Sequence, residues 1–246
     1  MVKVLLDAGH GGKDGGAQGN GLSEKVLTLA IAQRCREILQ KEYIGAEVRL
    51  TRETDQFLSL TERTNLANSW RADLLVSIHI NAAAAIAGNG FESFVYIKSD
   101  AATKAFQNVL HKAVIRNIKI TDRGQKSKDL HMVRQSAMIA VLTENGFISN
   151  VSDAAKMKSA AWLESCARGH AEGIAEYAGL KRKPAAQPAP AIQPKPAAQP
   201  AEAQPADRKK IFRVQVGAFE DRANADKLAA ELTRQGYRPF IWESEI

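Results

Sequence analysis

Val2-Lys-Val-Leu-Leu-Asp-Ala-Gly-His-Gly-Gly12 opens the chain with a short apolar run that breaks into glycine. Residues 2–7 have the length and composition of a buried strand, and Gly9, Gly11 and Gly12 mark the loop it feeds. Two further runs of this kind follow, at residues 74–78 and 139–143. Residues 48–50 form a shorter candidate strand, and residues 91–97 alternate as a strand does. Helical patterns lie between them, at residues 24–41, 60–70 and 101–116, and then from 152 to 178. In the first of these, Leu27, Ala30, Ile31, Cys35, Ile38 and Leu39 fall at helical spacing behind Ser23 as N-cap. Strands that alternate with helices and are apolar on both faces predict an α/β fold. Its core is a twisted, mostly parallel sheet flanked by helices on both faces. Ligands of such sheets gather at the carboxyl ends of the strands.

That rule points to His10, His79 and Glu144, each preceded by an apolar strand. Glu24, at the start of the first helix, lies on a segment able to fold back towards them. Two imidazoles and one carboxylate suit a catalytic zinc ion with its fourth position left to water. Zinc lowers the pKa of that water to about 7 and polarises a carbonyl. Glu144 then fits a general base that takes the water's proton and delivers it to the leaving amine. Taken singly, each residue has a commoner role: a strand-end histidine is usually structural, and a glutamate at a helix N-terminus usually answers the dipole. The same donor set holds other divalent ions as well. Spacing alone leaves these readings open.

The stretch Val4-Leu-Leu-Asp-Ala-Gly-His-Gly-Gly-Lys-Asp-Gly-Gly-Ala17, with Asn20-Gly-Leu-Ser-Glu24 after it, resembles the opening of the zinc amidases of the amidase-3 type. So do Leu50-Thr-Arg-Glu-Thr-Asp55, Leu60-Thr-Glu-Arg-Thr-Asn-Leu-Ala-Asn68, Ser77-Ile-His-Ile-Asn81 and Val141-Leu-Thr-Glu-Asn-Gly-Phe-Ile-Ser-Asn150. These motifs span essentially all of residues 1–180 in the family's order. The resemblance implies that His10, Glu24 and His79 carry one zinc ion and that Glu144 is the catalytic carboxylate. It also implies hydrolysis of the amide joining N-acetylmuramic acid to L-alanine in bacterial peptidoglycan. Ala8 and Ile139 stand where the family usually has proline, and neither brings a side chain to the chemistry. A zinc peptidase cutting within the stem peptide is the alternative hydrolase. A wall-binding adaptor on an inactive amidase fold is the alternative from another class, against which the four intact reactive positions argue.

Asn81 is a candidate to orient a ligand or bind substrate, and equally a strand-end turn residue. Arg63 and Arg134 are candidates for substrate carboxylates, against the commoner role of a structural ion pair. His111 and His170 lie in helical patterns and His131 in a strand-like run, so all three are read as non-ligands. Cys35 and Cys166 read as small buried hydrophobes.

Seven of the eight prolines fall between Pro184 and Pro205, within a Pro/Ala/Gln tract. The tract predicts an extended linker over residues 181–210, between a catalytic body (1–180) and a small α+β tail module (211–246). In the tail, Ile211-Phe-Arg-Val-Gln-Val-Gly-Ala-Phe219 reads as a strand, residues 224–235 as a helix closed by Gly236, and residues 239–242 as a further strand start. This module resembles part of a sporulation-related (SPOR-like) repeat, a type that binds the glycan strands of peptidoglycan. Arg213, Gln215 and Phe219 are weak candidates for glycan contact. Of the net charge of +7, the first 180 residues carry +3 and the shorter remainder +4. Such a basic tail suits an anionic polymer, and equally a solvated linker flank. Nucleic acid lacks the supporting motifs, so peptidoglycan is the expected partner. No apolar stretch approaches the roughly 18–20 residues of a membrane span. No secretory h-region precedes Asp7. The expected location is therefore a mother-cell cytoplasm until release to the wall, as in sporulation amidases, or outside the cell if this is a mature form.

Overall fold

The computed structural model describes residues 1–83, 88–184 and 221–234, in two compact units, Met1–Pro190 and Ala191–Ile246. In chain order the first unit contains β1 (Val2–Ala8), the short pair β2 (Gln18–Gly19) and β3 (Leu22–Ser23), α1 (Glu24–Glu42), β4 (Tyr43–Ile44) and β5 (Ala46–Leu50). Then come α2 (Leu60–Trp70), β6 (Leu74–Asn81), β7 (Phe91–Val95), α3 (Ala101–Ile118), β8 (Asp122–Ser127) and α4 (His131–Arg134). It closes with β9 (Ile139–Phe147), α5 (Val151–Met157), α6 (Ala160–Tyr177) and β10 (Lys181–Arg182).

Six strands form one sheet in the order β5-β1-β6-β9-β7-β8. β5, β1, β6 and β9 run parallel, β7 is antiparallel to β9, and β8 is parallel to β7. The mostly parallel sheet read from the apolar runs is thus the architecture found. Its two faces are covered unequally, because alternate residues of each strand point to opposite sides. Val4, Leu6, Val76, Ile78 and Val141 pack into a large core with Leu27, Ile31 and Cys35 of α1, Phe106 and Leu110 of α3, and Cys166 and Ile174 of α6. Leu5, Leu75, Phe94 and Leu142 face the other way, onto Ala67 of α2 and Met132 and Val133 of α4. That second layer is thin. Beyond it on the same strand faces, Asp7, His79, Glu92 and Glu144 follow in alternation, Asp7 and Glu92 buried and His79 and Glu144 half-buried.

Several boundaries differ from the sequence reading. β6 and β9 run on past their apolar runs, so His79 and Glu144 sit inside strands and not beyond them. The helical pattern from 152 to 178 is two helices, α5 and α6, separated at Lys158 and Ser159. The strand-like run around His131 is the short helix α4. β8 has no apolar residue in Asp-Arg-Gly-Gln-Lys-Ser, which suits an edge strand and explains why hydrophobic periodicity missed it. Lys181 and Arg182, at the start of the expected linker, pair antiparallel with β4. Both cysteines are buried and free, as expected. No helix among the described residues is long and apolar enough to cross a membrane. In the second unit the tail helix is α7 (Arg222–Arg234). The linker beyond Pro184, Arg213, Gln215, Phe219 and the two tail strands lie outside the described residues.

Candidate metal centre

His10 stands two residues beyond β1 with φ +62, a left-handed conformation that disfavours residues with a β-carbon. Two buried arginines hold it there, Arg52 and Arg63, which are 1% and 2% exposed. Arg52 donates from Nε to the Ala8 carbonyl (3.0 Å) and from Nη2 to the carbonyls of Gly9 (3.1 Å) and Lys25 (2.7 Å). Arg63 donates from Nη1 to the Ala8 carbonyl and from Nη2 to that of His10, each at 2.6 Å. Three successive carbonyls of the loop are therefore clamped. Arg63 also pairs with the buried Asp7 at 2.8 Å, and Thr51 and Ser77 donate their hydroxyls to the same carboxylate. Burial alone would raise the Asp7 pKa, but Arg63 and Ser77 outweigh it and hold the group below the usual carboxylate range. Arg63 is thus a structural ion pair, spent on the loop.

Glu24 opens α1 and is buried against His10 and His79. Its Oε2 accepts the Ala17 N–H (2.7 Å) and lies 3.2 Å from His10 Nε2. Its Oε1 accepts the Ile80 N–H (2.9 Å) and the His79 Nδ1–H (3.0 Å). One ligand atom from each of the three residues lies within 4.8 Å of the others. The two imidazoles meet edge to face, with ring centres 5.0 Å apart. His10 Nδ1 donates to Asp14 Oδ2 at 2.9 Å, which fixes the ring and turns Nε2 towards Glu24. Gly16 closes the group with φ +62, and a β-carbon there would lie 2.6 Å from Glu24 Oε2 and 2.7 Å from the His10 ring. Only glycine fits.

The charges follow the geometry. Burial opposes ionisation of Glu24, but hydrogen bonds from His10 and His79 pull its pKa far below normal. Burial opposes a charged His10, yet Glu24 and Asp14 raise it to about 8. His79 is raised against its own burial, first by the bond to Glu24. Two imidazoles and a carboxylate that already attract positive charge this strongly, with Asp14 behind one ring, match the donor chemistry of a zinc site. Among the described residues this is the group of histidine, cysteine and acidic side chains close enough to hold an ion.

Glu144 lies directly across the strand pair from His79, and Glu92 directly across from Glu144 on the other side. Its Oε2 is buried and has no hydrogen-bond partner. Burial raises its pKa to about 7, opposed by His79 and assisted by Glu24 and Glu92. Asn145 turns to the opposite face and donates to the His79 carbonyl (3.0 Å) and to Thr143 Oγ1 (3.1 Å), tying β9 to β6 at this level. Asn81, at the end of β6, donates to Glu92 Oε1 at 2.8 Å. Arg134 makes no bond to His10, Glu24 or His79; it pairs with Asp129. His111 bonds Ser93 and Asp122, and His170 bonds Thr143 and the Cys166 carbonyl. A cavity of about 420 Å³ runs from His10 and His79 past Phe57, Leu60 and His131.

Sequence reasoning passed over Asp14, Arg52, Glu92 and the place of His131 on the cavity wall. Arg52 stood inside a quoted motif, but nothing in its spacing marks a guanidinium that is spent on backbone carbonyls.

The sequence matches the model of the N-acetylmuramoyl-L-alanine amidase family over residues 4–176 and that of the SPOR domain over residues 196–245. It is 44% identical over 241 residues to the sporulation-specific N-acetylmuramoyl-L-alanine amidase of Bacillus subtilis (strain 168), covering 98% of this chain and 84% of that protein. It is 49% identical over 185 residues to an endolysin of Bacillus phage SPP1, covering 73% and 67%. Among solved structures, the catalytic domain of CwlV, an N-acetylmuramoyl-L-alanine amidase from Bacillus (Paenibacillus) polymyxa var. colistinus, is similar with a TM-score of 0.70 and 39% identity. The match covers 74% of this chain and 100% of that domain.

Proposed function

The chain belongs to the N-acetylmuramoyl-L-alanine amidase family, and from that premise we propose how its own residues carry out the reaction. It hydrolyses the amide between N-acetylmuramic acid and L-alanine in bacterial peptidoglycan, and its SPOR segment targets it to the wall. His10, Glu24 and His79 are the residues that would hold one zinc ion, since one donor atom of each lies within 4.8 Å of the others. Zinc bound there would supply Lewis acidity, acidifying a water and polarising the amide carbonyl. Asp14 and the two buried arginines keep the His10 ring in place for binding. Glu144 takes a proton from the attacking water at its unpartnered Oε2 and gives it to the leaving nitrogen of L-alanine.

The observation that carries this assignment is that buried, unpaired carboxylate oxygen in register with His79. Digestion of purified peptidoglycan by wild type and Glu144→Ala, both zinc-loaded, tests it, with fragments identified by mass spectrometry. Free L-alanine N-termini on intact stem peptides are expected from the wild type. The variant is expected to lose about a thousandfold in rate while keeping its zinc. Cuts inside the stem peptide would point to a peptidase instead.

The resemblance to a sporulation-specific relative supports a role in digesting the wall of the mother cell at lysis, with the protein held in the cytoplasm until then. A fluorescent fusion followed through sporulation checks it; export before lysis is the contrary result.

A further inference from the structure

The row of polar groups on the thinly covered face does not stop at Glu144. His79 on β6, Glu144 on β9 and Glu92 on β7 are register partners in sequence across three neighbouring strands. β8 continues the row. Its pairing with β7 shifts between Phe91 and Ser93, which leaves Arg123 and Gly124 opposite Glu92. Arg123 Nε donates to Glu92 Oε2 at 2.9 Å, and the Lys126 ammonium bonds the same oxygen. Asn81 occupies the other oxygen. Two cations therefore share one buried carboxylate, which leaves a net positive charge. Arg123 is 34% exposed and Lys126 39%, while Glu92 is nearly covered. The Arg123 guanidinium also lies over the Phe147 ring, 4.8 Å from its centre, which holds it towards Glu144's strand.

The two sides of the site thus differ in chemistry. On the β1 side lies the cavity walled by Phe57, Leu60 and His131, with Phe57 and Leu60 exposed. On the β8 side lies the excess positive charge. Glu144 stands between the metal ligands and the cations. If it protonates the leaving nitrogen, the leaving peptide extends to its own side, away from the apolar cavity. Strands lie about 4.8 Å apart and an extended chain advances about 3.3 Å per residue, so the cations fall within reach one to three residues past the cut.

We infer that Arg123 and Lys126 form an anion subsite for the leaving peptide, receiving a free carboxylate on the residue that follows L-alanine. The subsite selects stem peptides with that carboxylate free over those in which it is amidated. This rests on the role given to Glu144 above, whose failure would show separately as hydrolysis persisting in Glu144→Ala.

Steady-state kinetics of the zinc-loaded full chain tests it, on two N-acetylmuramoyl-L-alanyl peptides that differ only in whether the second residue's carboxylate is free or amidated. For the wild type, amidation is expected to raise KM about fivefold with little change in kcat, as befits one screened charge contact. Lys126→Gln leaves Arg123 to neutralise Glu92, so the fold is kept, and it should bring the two KM values within about twofold. Lys126→Arg should restore the preference. High salt should erase it in the wild type, since the contact is partly exposed. Equal KM values for the two peptides with wild type, or an undiminished preference in Lys126→Gln with an unchanged melting temperature, would overturn the inference.

Discussion

Arg63 spends four of its five N–H groups on Asp7 and the carbonyls of Leu58, Ala8 and His10, so the guanidinium is held by the protein itself. Removing it strands the buried Asp7 charge and frees the loop that carries His10. Arg63→Met is therefore expected to cost about 3–5 kcal/mol in urea unfolding, the usual penalty for breaking a buried ion pair. It should also weaken zinc retention in a chelator competition, and normal retention would refute the clamp. His170 makes a prediction of a different sign. Its Nδ1–H donates to the Cys166 carbonyl, so Nε2 accepts from the Thr143 hydroxyl and the ring is satisfied while neutral. Burial lowers its pKa to about 4, with the Cys166 bond opposing. The unfolded chain, titrating near 6.5, takes up the proton first as pH falls. Stability is present in full above that pH and is lost between about 6.5 and 4, by roughly 3 kcal/mol at 1.4 kcal/mol per unit. In chelator-treated protein the stability gap between wild type and His170→Gln should shrink by that amount from pH 7 to 4; a constant gap would count against it. At this scale the sequence shows chemistry but not occupation. Family motifs single out His10, Glu24, His79 and Glu144, and the ends of the apolar runs single out all but Glu24; the structure brings His10, Glu24 and His79 together. Arg63 and Arg52 were not, since the letter R reads alike whether it meets a substrate or a carbonyl.

The contact between α3 and α6 depends on two glycines of α6. A β-carbon on Gly169 would lie 2.7 Å from the Val114 Cα and 3.1 Å from the Ala113 carbonyl, and one on Gly173 would lie 2.8 Å from the Leu110 Cα. The obstacles are backbone atoms, so the helices themselves would have to part. Alanine gains about 1 kcal/mol in helix propensity over glycine. Forcing apart a packed interface costs about 1–3 kcal/mol, so the net sign of Gly173→Ala is destabilising. A thermal melt checks it, and a stabilised variant would mean that the helices slide freely. Periodicity could read α6 as a helix but not that its small face is a contact surface. The same limit governed the strands. β1, β6 and β9 were legible as continuous apolar runs because both their faces are buried. β8 carries charge on an edge and has no such signature, although it supplies the cations beside Glu92.

Where the catalytic body ends is decided by pairing and not by composition. The proline tract suggests a cut near residue 180, yet Leu180 packs on the core, β10 pairs with β4, and Lys183 donates its N–H to the Glu42 carbonyl and its ammonium to that of Gln40. A chain of residues 1–184 should therefore melt with the full-length protein, whereas one ending at Tyr177 should melt lower. The shorter-tailed 1–184 chain should hydrolyse soluble muropeptides with unchanged kcat/KM, since every residue assigned to the site lies before Glu144 or at it. On intact sacculi it should be slower and should fail to cosediment, because the segment matching the SPOR domain is gone. The removed residues hold nine Lys/Arg against eight Asp/Glu, so only +1 of the chain's net charge of +7 goes with them and the charge-driven part of wall attraction stays mostly with the body. Simple attraction to an anionic wall would fade as salt shortens the Debye length to about 3 Å at 1 M. Recognition of the glycan strand itself would survive. Cosedimentation of the full chain at low salt and at 1 M separates these, and persistence at high salt would mean that the tail reads the sugar and that the chain's charge is not what holds it to the wall.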